Sequence, residues 1–386
     1  MNREYRDQLI RRYHQQGYTA KEIRLMLESE HDYKLSLSHL KRLISQLGLR
    51  RHMQAADIGG VIDKIQEELA GSGQCLGYRA MWHRLKTTHQ LRVDKETVRF
   101  CLTLLDPQGV ESRRRHRLRR RVYESRGPLY CVHVDGYDKL KPFGFAIHGA
   151  ICGFSRKILW LRVGRSNNNP KVVGSYYLDC LNEIDGVPRK IRFDRGTENG
   201  VIEDIQKSLR WNHADRAAGP DSVQIGASTS NQRIEQWWGT FRKGGIQFWM
   251  DLFKDMEDEN LYSKGDELHR ECLCFCFMGI LQQELDQVKA EWNCHRMQRS
   301  RGVCPAGKPN ILFASPEAYG AESFKFDLPA GVIQAMEVFV QREDPSGTHG
   351  VYLDAFNDTI TIEGLQLPEN VDEALELYGR LLAVLN

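Results

Sequence analysis

Three stretches decide how this chain is read: Tyr130-Cys-Val-His-Val-Asp-Gly-Tyr-Asp138, Lys190-Ile-Arg-Phe-Asp-Arg-Gly-Thr-Glu-Asn199 and Ser230-Asn-Gln-Arg-Ile-Glu-Gln-Trp-Trp238. The first two carry a short apolar run into an aspartate, Asp135 and Asp194. The third sets Glu235 among apolar residues at helical spacing. Working outward, residues 130–134, 143–151 and 157–163 read as strands joined by short glycine-containing turns, an antiparallel meander. Residues 170–181 read as a helix, 190–193 as a fourth strand, 197–209 as a helix and 222–225 as a fifth short strand. A helix carrying Glu235 follows over 230–247. Apolar strands alternating with helices predict an α/β core, a mixed sheet flanked by helices.

One aspartate ending a strand is an ordinary turn residue. Two such aspartates on separate strands, with a glutamate on a later helix, form the kind of oxygen-anion set that holds divalent cations beside a phosphodiester. The trio therefore points to metal-dependent nuclease or strand-transfer chemistry. Asp138 and Glu198 stand close enough in sequence to substitute or to add a fourth ligand, and Asp135 ranks above Asp138 because Gly136 turns the chain after it.

These motifs resemble the integrase core of retroviral integrases and DDE transposases, over roughly residues 128 to 312. Val134-Asp-Gly-Tyr-Asp138 is similar to the first-strand aspartate motif, and Phe193-Asp-Arg-Gly-Thr-Glu-Asn199 to the motif after the fourth strand. Asn231-Gln-Arg-Ile-Glu235 with Arg242 seven residues on is similar to the third. Fifty-eight residues separate Asp135 from Asp194 and forty separate Asp194 from Glu235, close to the family's spacing. The resemblance implies a ribonuclease H-like fold of five strands, with the first and fourth side by side. It also implies Asp135, Asp194 and Glu235 as catalytic and metal-binding residues, with two Mg2+ (or Mn2+) ions once DNA is bound. Asp135 would bridge the ions, and Asp194 and Glu235 would each hold one. Related sequences usually carry Asp at the position of Cys152, and that departure favours an altered use of the fold.

Charge points to the same substrate. Residues 1–126 hold 26 Lys and Arg against 15 Asp and Glu, whereas residues 325–386 hold 3 against 11, so nucleic acid is met first through the N-terminal third. Residues 3–52 read as three short helices, with Thr19-Ala-Lys-Glu22 as a capping box and a third helix facing outward through Lys41 and Arg42 before Arg50 and Arg51. Residues 57–105 repeat the pattern, with Asp94 capping a third helix. Two helix-turn-helix-like modules are expected, over 1–53 and 54–112. An arginine-rich linker over 113–127 follows, carrying Arg113, Arg114, Arg115, Arg117, Arg119, Arg120 and Arg121. Such a run orders against phosphate and doubles as a nuclear import signal, so the expected location is nuclear in a eukaryote and cytoplasmic otherwise. On the Glu235 helix, Trp238 is expected to stack on a base and Arg242 and Lys243 to hold phosphates, with one of Trp237 and Trp238 buried and the other near the DNA.

The remaining divisions are the core over 128–250, a helical extension over 251–324 and an acidic module over 325–386, with strands near Val338, Val351 and Ile360 and a helix from Val371. The acidic module suits a protein partner. His269 with Cys272, Cys274 and Cys276 offers zinc-binding side chains, but their spacing spreads them around a helix and marks them as apolar core. Ten cysteines without a Cys-x-x-Cys pair suit free thiols in a reducing compartment, and no segment is apolar enough for a membrane span. The expected partners are double-stranded DNA and further copies of the chain, since two DNA ends must be held together. The competing expectation is a domesticated, non-catalytic DNA-binding protein that keeps the core fold.

Overall fold

The computed structural model describes residues 2–49, 57–114, 125–227, 231–298 and 304–385. The N-terminal third is helical: α1 (Arg3–Gln15), α2 (Ala20–His31), α3 (Leu37–Gln46), α4 (Ile58–Ala70), α5 (Tyr78–Thr87), α6 (Lys95–Leu105) and α7 (Pro107–Arg114). The capping box is present, with Thr19 Oγ1 accepting from the Glu22 amide while Glu22 accepts from the Thr19 amide. Asp94 caps α6. Helix α7 was not expected from the sequence: proline at the first helical position starts it, and Asp106 caps it by accepting from the Gly109 amide.

The core follows as β1 (Val132–Tyr137), β2 (Ala146–Cys152), β3 (Ile158–Gly164), α8 (Pro170–Ile184), the two-residue β4 (Val187–Pro188), β5 (Ile191–Asp194), α9 (Gly200–Leu209), β6 (Val223–Gly226) and α10 (Gln232–Phe241). The sheet order is β3-β2-β1-β5-β6, antiparallel through the first three strands and parallel from β1 to β6. This is the mixed five-stranded, ribonuclease H-like sheet, with the first and fourth predicted strands adjacent. Alternation along β1 sends Val132 and Val134 to one face, against Tyr177 and Leu181 of α8 and Ile202 and Ile205 of α9. His133, Asp135 and Tyr137 point to the other face, where α10 lies.

Beyond the core come α11 (Gln247–Asp258), α12 (Glu267–Cys294), α13 (Pro309–Ala314), β7 (Lys325–Phe326, paired with β4), α14 (Val332–Met336), α15 (Gly350–Glu363) and α16 (Val371–Leu385). Residues 272–278 of α12 are buried on every side, as in a helix enclosed between a sheet and other helices. Cys272, Cys274 and Cys276 are thus core side chains, and His269 bonds the Tyr378 hydroxyl at 2.8 Å. The strands expected near Val338, Val351 and Ile360 are replaced by a 3₁₀ turn (Glu337–Phe339) and by α15. The β-branched run Thr359-Ile-Thr-Ile362 misleads there, because Leu353, Phe356, Thr359 and Ile360 pack inward at helical spacing.

Candidate catalytic site

Strand β1 extends two residues past Asp135, so this aspartate sits inside the strand rather than at its end. Val132 pairs with Ile191 and His133 with Arg192; carried on by two residues, that register sets Asp135 level with Asp194 on the neighbouring parallel strand. Glu235 comes from the first turn of α10. What seats that helix is Asn231, its N-cap residue, whose side chain does not cap it. Instead Asn231 accepts from His133 Nδ1–H at 2.8 Å and donates to the Val134 carbonyl at 2.7 Å, all fully or almost fully buried. Burial pushes the His133 imidazole down to about 3, so it is neutral and the Asn231 bond assigns its proton to Nδ1. Replacing Asn231 with Ala leaves a buried carbonyl and a buried N–H unpaired. The expected loss is about 3 kcal/mol in urea denaturation, because the Glu235 helix loses its seat.

Beside Asp135 a cleft of about 430 Å³ opens, lined by Asp135, Tyr137, Asp138, Lys139, Glu235, Trp238 and Arg242 with intervening glycines. Asp135 is pushed up to about 7, first by burial and then by the charges of Glu235 and Asp194, against a lowering hydrogen bond from Trp238. Burial, then Asp194, raises Glu235 as well. The three carboxylates therefore share one electrostatic environment. Among the described residues, no three His, Cys, Asp or Glu side chains close around one point. Asp135 and Glu235 line the cleft and Asp194 stands level with Asp135 on the adjacent strand, without the three sets of oxygens closing on one point. The donor set is made of hard oxygen ligands, with Asp135 and Glu235 raised first by burial and then by neighbouring charge, and it fits a divalent cation.

Asp138 turns to other partners: Asn167 Nδ2 donates to it at 2.8 Å and Lys141 Nζ at 3.1 Å. Gly136 leaves room for that arrangement, since a Cβ there would lie 2.6 Å from Asn167 Nδ2. Glu198 accepts from Asn199, whose own carbonyl accepts from His148. Because Trp160 Nε1 donates to His148 Nδ1, the His148 proton is on Nε2 and faces Asn199. Cys152 is buried and pairs with Val132, whereas Asp135 pairs with Gly149 three residues away, so Cys152 belongs to a packing cluster with Phe154, Met297 and Leu312.

Residues 122–311 match the family model described as an integrase core domain. The chain carries an integrase core domain. No curated protein matches the chain. The cations expected at DNA divide into three groups, of which only the first lies within this integrase core. Arg242 and Lys243 are exposed, and Arg242 lines the cleft while bonding Gln247 at 3.0 Å. Lys41 and Arg42 are exposed on α3. Arg50, Arg51, Arg115, Arg117, Arg119, Arg120 and Arg121 lie outside the described residues, as do the side chains of Arg113 and Arg114 at the end of α7.

Trp238 is the correction. Trp237 and Trp238 are both buried, at 3% and 5% exposure, and Trp238 Nε1 donates to Asp135 Oδ2 at 2.9 Å instead of facing DNA. The integrase core also has a partner that motif reading missed: Arg84 of α5. Its guanidinium reaches Glu68, Glu291 and the Gly244 carbonyl, the last inside the π-helical turn Arg242–Ile246 that follows α10. Among the described residues, no helix is long and apolar enough to cross a membrane.

Proposed function

We propose that this chain cleaves DNA and joins DNA strands by two-metal phosphodiester chemistry at Asp135, Asp194 and Glu235. The observation that carries the reading is the mutual electrostatic coupling of these three carboxylates on one face of an integrase core, with Asp135 pushed up to about 7. Mg2+ or Mn2+ would be held by Asp135 as the shared ligand and by Asp194 and Glu235 as individual ones. Such ions sharpen an attacking hydroxyl and stabilise the departing oxygen. The chain's own residues do the rest. Asn231 and His133 seat the helix bearing Glu235, and Arg242 and Lys243 offer cations to phosphates beside the cleft. Lys41, Arg42 and the arginines of 113–121 supply the positive charge that gathers duplex DNA, and in a eukaryotic cell the arginine run would also direct nuclear import. Two DNA ends handled together call for more than one copy of the chain.

The test is strand transfer of labelled DNA ends in Mg2+ or Mn2+, with Asp194→Asn and Glu235→Gln beside the wild type. Activity in the wild type alone supports the proposal. A wild type that binds DNA tightly yet neither nicks nor joins it would move the assignment to a DNA-binding protein that keeps the fold.

A further inference from the structure

A carboxylate on a strand can rotate about its side-chain bonds unless a second group holds it. In this chain the holding group is the Trp238 indole, whose N–H reaches Asp135 Oδ2 at 2.9 Å. The ring is clamped against Tyr137, Trp237 and Phe241, with centroids at 5.0, 5.0 and 5.5 Å. Its far edge crosses to β2, where the residue paired with Asp135 is Gly149. A Cβ at Gly149 would stand 3.0 Å from Trp238 Cη2 and crowd the ring. Gly149, Asp135 and Trp238 thus come from three elements and fit one another: a missing side chain admits a ring, and the ring's only polar atom meets the carboxylate.

We propose that Trp238 is a positioning residue for the metal site, tethering Oδ2 so that Asp135 presents its remaining lone pairs to the cleft before a cation arrives. This rests on the strand-transfer reading above. A carboxylate already oriented by an outer partner takes up a cation without reordering first, and such partners are typically worth about 10- to 100-fold in metal affinity or activity.

The experiment titrates Mn2+ alone into the full chain, following the free ion by electron paramagnetic resonance, for wild type, Trp238→Phe and Trp237→Phe. Both substitutions shrink a buried indole to a phenyl ring, but only the first removes the N–H on Asp135. Trp238→Phe is expected to weaken Mn2+ binding by about 10- to 100-fold. Its strand transfer should fall at low Mn2+ and recover at saturating Mn2+, while Trp237→Phe binds as the wild type does. Gly149→Ala crowds the ring and leaves both polar groups intact. It is expected to weaken binding in the same direction, and it reads the same property should Trp238→Phe fail to fold. Unchanged Mn2+ binding in Trp238→Phe, or equal losses in the two tryptophan variants, overturns the inference and leaves the strand-transfer reading standing. A wild type that takes up no Mn2+ in the absence of DNA also overturns the inference, while the strand-transfer reading, whose ions are expected once DNA is bound, is decided by its own assay.

Discussion

Asp135→Asn is expected to remove strand transfer, by about 10³-fold, and at the same time to make the metal-free protein more stable at pH 8. The two effects have one cause. Burial, with the charges of Glu235 and Asp194, raises the Asp135 carboxyl from 3.8 to about 7. Because the folded value lies above the unfolded one, the stability held in the protonated form is fully present below pH 4. It is lost as pH climbs through 7. At pH 8 the ionised side chain costs on the order of 3 kcal/mol, and asparagine, which keeps an oxygen for Trp238, carries no such charge. Melting in chelator at pH 8 should therefore rise by about 5 °C in the variant, with little difference at pH 4. Adding Mg2+ at pH 8 should stabilise the wild type and leave the variant unmoved. A variant that melts below wild type at pH 8, or that still joins DNA, contradicts this account.

Arg84→Met carries the largest expected loss of stability, about 3 to 5 kcal/mol. Arg84 is 3% exposed and stands among Glu68 at 2.9 Å, Glu291 at 3.4 Å and Glu284 at 3.9 Å. Methionine fills much of the space but leaves three acidic groups facing one another, with His89 on Glu68 as their remaining close basic neighbour. Burial already raises the Glu284 carboxyl, so its protonation as pH falls relieves part of that repulsion. The loss in urea denaturation should accordingly be larger at pH 8 than at pH 5. Strand transfer should fall more than DNA binding does, because Arg84 also bonds Gly244 in the turn that ends the Glu235 helix. Equal losses at the two pH values would show that packing, not charge, governs this contact.

Much of the core could be read locally. The strand meander and the helix bearing Glu235 follow from apolar periodicity and turn residues, whereas the adjacency of the first and fourth predicted strands came only with the resemblance to integrase cores. The three carboxylates stood out because each interrupts or ends an apolar pattern. Trp238 was misjudged for a related reason. Periodicity reports that a helix face is apolar but not what its polar atom meets, and here that partner sits 103 residues away. Asn231, which entered the sequence reading only as part of a motif, proved to be a docking residue. Arg84 carried no local signal, because its acidic partners Glu284 and Glu291 lie up to 207 residues away in sequence. In the acidic tail, β-branched density pointed to strands where a helix forms, since burial along one face outweighed propensity.

Within the core the sequence alone determined the order of the main elements and the α/β class, because period-2 and period-3.6 patterns and turn residues act over a few positions. Only the tertiary structure decided that the indole of Trp238 holds Asp135, that Asn231 seats the Glu235 helix on β1 and that Arg84 ties an N-terminal helix to the turn beyond it. Those bonds join residues 97 to 207 positions apart, and their geometry exists only once the sheet and its helices have packed.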